Sequence, residues 1–245
     1  MKYFRSEAIV LSAKRWSESS LILQAYSASR GKVSLVSKGA RRPKSYNGAE
    51  HRPGSHIEAI WIERGKSDLY PLVAIDPLSY IRVPELWDGY RYAMQTLKLT
   101  KQTLRGEQSH PAGFQQLLRT MRSFRHAQQP ELLYWQFCLR WVVELGFALD
   151  SVHCARCGNT VTGKHAEFFV QIGGFWCDKC CRNSKRTESD LGFPVTGETV
   201  AVIRRLESLP EEKAHRIKVS DQSRLEIERL LQLYIGMHLE VNNKL

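Results

Sequence analysis

The 245 residues suffice for one large domain or two to three small ones, so a core can form without disulfide staples and a peptide-sized scaffold is excluded. Hydrophobic residues at 42% and charged residues at 25% lie near the globular average, which excludes a wholly disordered, collagen-like or coiled-coil chain. Thirty-six Lys and Arg against 25 Asp and Glu leave a charge of +11, which suits a polyanionic partner: nucleic acid or an acidic membrane surface.

The chain begins with a charged heptapeptide and only four apolar residues, 8–11, too few for a signal-peptide core; a cytoplasmic protein is expected. Up to residue 80 the pattern is β. Runs 6–12, 21–26, 32–36, 56–62 and 69–75 are short and rich in Val, Ile, Leu and aromatics. Ser29-Arg30-Gly31 and Arg64-Gly65-Lys66 supply turns, and a long basic segment, 38–53, separates the third run from the fourth. Five strands with one such excursion predict a small Greek-key barrel of the OB type.

From Pro84 onward apolar residues recur at helical spacing. Phe114, Leu117, Leu118, Met121 and Phe124 predict an amphipathic helix with Ser109 as N-cap and Pro111 in its first turn. Residues 131–147 are apolar but for Gln136, Arg140 and Glu144, a narrow polar stripe on a helix expected at the centre of a bundle. Those three residues also make 132–149 a poor bilayer span, so no membrane partner is expected. Cys138 on this helix reads as a small buried hydrophobe. After a Cys- and Gly-rich insert, 151–190, the helical pattern resumes at Val200, Ile203 and Leu206. The last helix carries a capping-box pattern at Ser223 and Glu226 and a buried stripe of Ile227, Leu230, Leu231, Tyr234 and His238. The expected division is therefore 1–80, 81–150 with 191–245, and the insert 151–190.

Six cysteines in a reducing compartment argue for metal ligation or inert burial rather than disulfides. Cys154-x2-Cys157 and Cys177-x2-Cys180, nineteen residues apart, have the spacing of a four-cysteine zinc site. Two thiolates three residues apart clasp one face of an ion, and a second pair completes a tetrahedron with Zn–S distances of about 2.3 Å. Iron in a four-sulfur site, a redox pair and a vestigial motif stay open, as do Cys181 in place of Cys180 and His153 or His165 as a substitute ligand. A hairpin is expected between the pairs, with Gly173-Gly174 at its turn. So small an insert, poor in hydrophobes, should draw most of its order from the metal. Four thiolates leave no open position for water, which argues against a zinc hydrolase. No Walker loop, H-E-x-x-H or G-x-S-x-G motif occurs.

Within residues 1–80 thirteen Lys or Arg face seven Asp or Glu. The candidate nucleic-acid contacts are Lys14, Arg15, Arg30, Lys32, Lys38, Arg41, Arg42 and Lys44, with Tyr46 for stacking. Trp16 and Tyr26 are either base platforms or core, and Trp61 reads as core.

A series of segments, in order over nearly the whole chain, resembles the bacterial RecO family. Trp16-Ser17-Glu18-Ser19-Ser20 with Leu21-Ile22-Leu23, the Gly31 turn, and Lys38 to Ser45 are similar to that family's amino-terminal barrel. Phe137 to Arg140, Glu144 to Phe147, Cys154 to Gly158 and Gly174 to Cys180 resemble its central helix and zinc module. The resemblance implies an α+β, multi-domain protein: a five-stranded OB-fold barrel, then a helical domain with a four-cysteine zinc-finger insert. It implies a non-enzymatic repair factor, nucleoid-associated, that binds single- and double-stranded DNA, anneals complementary strands and helps load RecA recombinase. RecR, in many lineages RecF, and the acidic tail of the single-stranded-DNA-binding protein are the implied partners. Ala148 and Leu149 stand where the family commonly has proline, and 84–130 matches little, so Arg119, Arg122, Arg125 and Arg140 are only loose candidates for the tail. The alternative is an RNA-binding or ribosome-associated zinc-ribbon protein.

Overall fold

The computed structural model describes residues 2–42, 49–63, 67–79, 88–106, 108–183, 192–214 and 216–241. Lys44, Tyr46, the 64–66 turn and Pro84 lie outside the described residues. Two compact units divide the chain, Met1–Pro130 and Glu131–Leu245.

In the first unit β1 (Lys2–Arg15), β2 (Leu21–Ser27), β3 (Gly31–Ser37), β4 (His56–Glu63) and β5 (Leu69–Ser79) close into a barrel of order β1-β2-β3-β5-β4. All neighbours are antiparallel except β3 and β5, which run parallel with Leu35 opposite Tyr70, and β1 seals the cylinder against β4. This is the OB fold expected from the strand pattern. Alternation drives closure: Ala8, Val10, Leu23, Ala25, Val33, Leu35, Ile57, Ala59 and Trp61 point inward and are buried. A bulge between Val10 and Ser12 shifts the phase of β1, so that Ala13 packs on the core while Ser12 and Lys14 face out. Gly31 opens β3 with φ 71°, and a Cβ there would collide with the carbonyl of Gln108.

Two helices complete this unit, α1 (Asp88–Thr103) and α2 (Pro111–Phe124). The five apolar residues of the α2 stripe are all buried. Its N-cap is His110, without a side-chain cap bond, and not Ser109. The Ser109 hydroxyl instead donates to the Ala28 carbonyl at 2.8 Å, a barrel carbonyl taking the place of the helix's own amides. Tyr26 is buried against Phe114 and donates its hydroxyl to the His110 carbonyl at 2.8 Å, so it serves the core and not a base platform.

The second unit is built on α3 (Pro130–Glu144), whose Trp135, Phe137, Cys138 and Trp141 are buried. Burial pushes the Cys138 thiol up to about 12, which makes it inert. β6 (Asp150–Cys154), β7 (His165–Phe169), β8 (Gly174–Cys177) and β9 (Gly192–Thr196) form a sheet of order β6-β8-β7-β9. The expected hairpin is β7 and β8, joined by a 3-10 turn, Val170–Ile172, and by Gly173 at φ 59°. A Cβ on Gly173 would sit 2.6 Å from the Tyr234 hydroxyl oxygen. The short α4 (Asp178–Asn183) follows β8; α5 (Gly197–Ser208), α6 (Glu211–Ala214) and α7 (Asp221–His238) end the described fold.

Helix termini in this unit are satisfied across elements. Of the polar stripe on α3, Gln136 donates to the Leu206 and Leu209 carbonyls at 2.7 Å each, and Arg140 donates to Leu209 at 2.5 Å, closing the end of α5. Ser223 and Glu226 do not form the capping box. Ser220 is the N-cap of α7, and Glu226 reaches across to the start of α5, accepting from Thr196 N–H at 2.7 Å and Thr199 hydroxyl at 2.5 Å. In return Glu198 accepts from the Ser220 N–H and hydroxyl. His238 is half-buried on the Val170 carbonyl at 2.8 Å, a packed histidine as expected.

Candidate functional site

The four cysteines of the paired motifs come together: Cys154, Cys157, Cys177 and Cys180 place their sulfurs within 4.8 Å of one another. Cys154 ends β6, Cys157 sits in the turn that follows, Cys177 ends β8, and Cys180 lies on α4. The turn is held by Gly158 N–H on the Cys154 carbonyl at 2.8 Å and Cys154 N–H on the Asn159 carbonyl at 2.7 Å. Two donors aim at sulfur, Cys177 N–H at Cys154 Sγ (3.3 Å) and the Asn159 amide at Cys157 Sγ (3.5 Å). Burial works to raise the Cys154 thiol, but amide donors from Cys177, Cys157 and Arg156 outweigh it and bring the thiol to about 6. Burial and the three neighbouring thiols raise Cys180. A lowered Cys154 thiol beside a raised Cys180 thiol is an imbalance that a cation among the four sulfurs would relieve.

The spacing fits an ion. A tetrahedron with about 2.3 Å from metal to sulfur has edges of about 3.8 Å. Cys157 and Cys177 sulfurs are 3.8 Å apart, too long for a disulfide. Cys181 points elsewhere, its thiol 3.6 Å from the Trp176 carbonyl, and His153 turns to Asp150 at 3.2 Å. The cleft beside the cysteines, about 800 Å³, is bordered by Arg156, Lys179 and Asn183, and Cys157 is exposed, so the centre lies at the surface.

The surrounding module is not poor in hydrophobes. Phe168 meets Phe175, Phe193 and Tyr234 at ring separations of 5.0, 5.8 and 6.0 Å. β9 adds Phe193, and α7 adds Tyr234, from beyond residue 190, so the sheet has an aromatic core of its own. The thiol cluster itself lies at the cysteine turn and the start of α4.

On the barrel, the outward face of β1, β2 and β3 carries a groove of about 570 Å³ lined by Ser12, Lys14, Arg15, Trp16, Gln24 and Ser34, with Ser67 and Asp68 at one side. Register explains the lining: Ser12 stands opposite Gln24, and Gln24 opposite Ser34, in one outward row. Trp16 is 61% exposed, an indole presented to solvent just past the end of β1. Two cations, hydrogen-bonding side chains and the exposed Trp16 line it together with Ile22 and Leu69, and Asp68 is the single acidic side chain among its lining residues.

The other predicted contacts fall into distinct places. Arg41 donates to the carbonyls of Ser17 (3.1 Å) and Glu18 (2.8 Å), bracing the loop next to Trp16. Lys38 and Arg42 are exposed on the adjoining turn, closed by Arg42 N–H on the Gly39 carbonyl at 3.0 Å. Arg30 lies 3.7 Å from Glu63 and 4.3 Å over the Phe4 ring, occupied within the fold. Lys32 donates to the Lys101 carbonyl at 3.2 Å, and burial lowers its pKa. Of the tail candidates, Arg119, Arg122 and Arg125 are exposed on or just after α2, whereas Arg140 is engaged with Leu209 and, at 3.6 Å, Glu211. Sequence reading passed over Ser12, Gln24, Ser34 and Asp68; strict alternation on β2 and β3 was the signal that could have placed Gln24 and Ser34 outside.

A closed five-stranded OB barrel with a basic, aromatic groove, in a chain that also carries a four-cysteine centre, defines the class. Comparison with known proteins makes it particular. The Recombination protein O N terminal family matches residues 1–81 and the Recombination protein O C terminal family matches residues 87–245. Curated proteins named DNA repair protein RecO are similar along the whole length. That of Desulfitobacterium hafniense is 26% identical, covering 98% of this chain and 86% of the relative. That of Desulforamulus reducens is 28% identical over 98% and 91%, and that of Thermobifida fusca 30% identical over 98% and 95%. The chain belongs to the RecO family of DNA repair proteins. No helix among the described residues is long and apolar enough to cross a membrane.

Proposed function

We propose that this chain is a non-enzymatic recombination mediator, which binds single- and double-stranded DNA on its barrel, anneals complementary strands, and helps load RecA onto single-stranded DNA. The observation that carries the reading is the groove on β1, β2 and β3, whose lining includes Lys14, Arg15 and the exposed Trp16. Cations hold phosphates, and an aromatic face takes a base of any identity by stacking, worth about 1–3 kcal/mol per base. Neutralising two backbones on one surface removes the repulsion that keeps complementary strands apart, so annealing needs neither ATP nor a covalent step. Lys38, Arg41 and Arg42 are proposed as further phosphate contacts, with Arg41 acting through the loop it braces next to Trp16.

The second unit has a bracing role in this reading. Zn2+ is the ion proposed for Cys154, Cys157, Cys177 and Cys180, since four thiolates fill a tetrahedral shell and leave no place for water. Its contribution is order in the cysteine turn. RecR, with RecF in lineages that have it, and the acidic tail of the single-stranded-DNA-binding protein are the proposed protein partners, in the cytoplasm at the nucleoid.

The test is fluorescence annealing of complementary oligonucleotides coated with single-stranded-DNA-binding protein. The chain accelerates pairing, and a Lys14→Ala, Arg15→Ala, Trp16→Ala triple variant loses most of the acceleration while melting normally. Acceleration unchanged in the triple variant overturns the assignment of the groove. Tighter binding to RNA than to DNA of one sequence points to the 2′-hydroxyl and to an RNA-binding protein instead.

A further inference from the structure

Much of the positive charge of the first unit lies outside the barrel. Between Asp88 and Glu131 the sequence carries seven Lys or Arg against one acidic residue, Glu107, which is outside the described residues. Three of the seven, Arg119, Arg122 and Arg125, are exposed on α2 or at its C-cap. The packing of α2 explains their exposure. Phe114 meets Tyr26 edge-on at 5.5 Å and lies 6.4 Å from His56, and a Cβ on Gly54 would meet the Met121 methyl at 3.2 Å, so the apolar stripe is turned to the barrel. At about 100° per residue, Gln115, Arg119 and Arg122 fall within about 60° of one another on the opposite side, with Arg125 next to them. Among the described residues no carboxylate pairs with Arg119, Arg122 or Arg125, and no side-chain hydrogen bond engages them.

The fold itself asks for only part of this charge. A helix C-terminus carries about half a negative charge, which one cation in the last turn more than offsets. Arg119 and Arg122 are like charges on neighbouring helix positions, which weaken the helix that holds them. What the face lacks indicates the anion it suits. An acidic peptide with an apolar end wants a hydrophobic groove beside the cations, and none of the exposed large hydrophobic side chains falls between 88 and 130. A single strand draws affinity from stacking its bases, as Trp16 allows, yet no Phe, Trp or Tyr of α1 or α2 is exposed. A duplex has already stacked its bases and presents its phosphates outward, so cations and amides without an aromatic face suffice to hold it.

We infer that Gln115, Arg119, Arg122 and Arg125 form a surface for the backbone of duplex DNA, with the guanidiniums on phosphates and the Gln115 amide as a further donor. None of the four lines the barrel groove, so the chain has one face for a single strand and another for a duplex. The inference rests on the reading that this chain binds DNA, and not on the groove being where a single strand sits.

The experiment titrates the full chain against a labelled blunt duplex and a labelled thymidine oligonucleotide across a salt series. Replacing all three arginines, Arg119→Gln, Arg122→Gln and Arg125→Gln, makes the duplex slope of log K against log salt shallower by about 2.7, at about 0.9 per phosphate contact. The slope for the single strand stays as it was. Arg119→Lys, Arg122→Lys and Arg125→Lys together keep the duplex slope, since the charges remain. If the triple Gln variant melts early, Arg119→Gln alone takes about 0.9 from the duplex slope. An unaltered duplex slope in a folded variant overturns the inference, and equal losses on the two probes overturn the assignment to duplex. Trp16→Ala separates this face from the groove: single-strand binding unaltered by Trp16→Ala removes the groove reading while a changed duplex slope in the α2 variant still supports the α2 face. A labelled peptide of the single-stranded-DNA-binding protein's acidic tail is the last arm. Peptide binding lost in the triple Gln variant, with the duplex slope unaltered, gives the face to an acidic peptide and overturns the inference.

Discussion

The barrel and the cysteine-bearing sheet solve the same problem in different ways. Each is a small sheet that must order itself and still present a chemically useful surface. The barrel closes on an interior of aliphatic side chains with Trp61 and Tyr70, and the outward face of β1, β2 and β3 carries Lys14, Gln24 and Ser34. In the open β6-β8-β7-β9 sheet Phe168 packs with Phe175, Phe193 and Tyr234, while four thiols from the end of β6, the turn after it, the end of β8 and α4 converge at one end. Closure leaves the outer face of the barrel open, whereas one end of the open sheet is given over to the four-thiol cluster.

The sharpest way to break this contrast is in the barrel core. Trp61→Ala should cost about 3–5 kcal/mol in a denaturant melt, since the side chain is 1% exposed and its loss leaves a large void. A loss below about 1 kcal/mol, the size expected of a surface change, would mean that the barrel does not depend on its interior.

Next in size is the cross-capping of α5 and α7. Burial opposes the Glu226 charge, but donors from Thr199, Gln222 and Thr196 outweigh it and hold the carboxyl below its ordinary value. A group depressed in the folded state stabilises above its unfolded pKa, and that contribution fades as pH falls through the folded value. Glu226→Gln should therefore cost about 1–3 kcal/mol at neutral pH, by loss of a buried charged acceptor, with the gap to the parent narrowing in acid. A gap that widens in acid would reverse the sign.

Metal removal separates the two halves of the second unit. Chelation should raise hydrogen exchange at 154–160 and 177–183, while β7, the aromatic core and the whole barrel keep their protection. Collapse of the entire sheet on chelation would show the aromatic cluster to be insufficient. The smallest effect is reserved for the fifth cysteine of the region: Cys181→Ser should leave bound zinc unchanged and shift stability by about 0.5 kcal/mol or less, whereas Cys180→Ser should release the ion.

Much of this was legible from the chain. Strands with alternating Val, Ile and Leu announced themselves because one face of each is buried, and the α2 stripe did so because five apolar residues share one side. The cysteine pairs were readable since ligand spacing is local. What escaped depends on partners distant in sequence. Ser223 and Glu226 matched a capping box by spacing, yet Glu226 found Thr196 and Thr199, thirty and twenty-seven residues away. Arg30 looked free until Glu63 and Phe4 closed around it. The sequence alone points to metal for most of the insert's order because Phe193 and Tyr234 come from outside it.

Where a single strand sits is the question that decides the account. Ultraviolet cross-linking of a thymidine oligonucleotide, read by peptide mass spectrometry, answers it directly. Adducts on Trp16 and neighbouring residues of β1 are the result expected of the groove; adducts confined to 154–183, with none on the barrel, would contradict it.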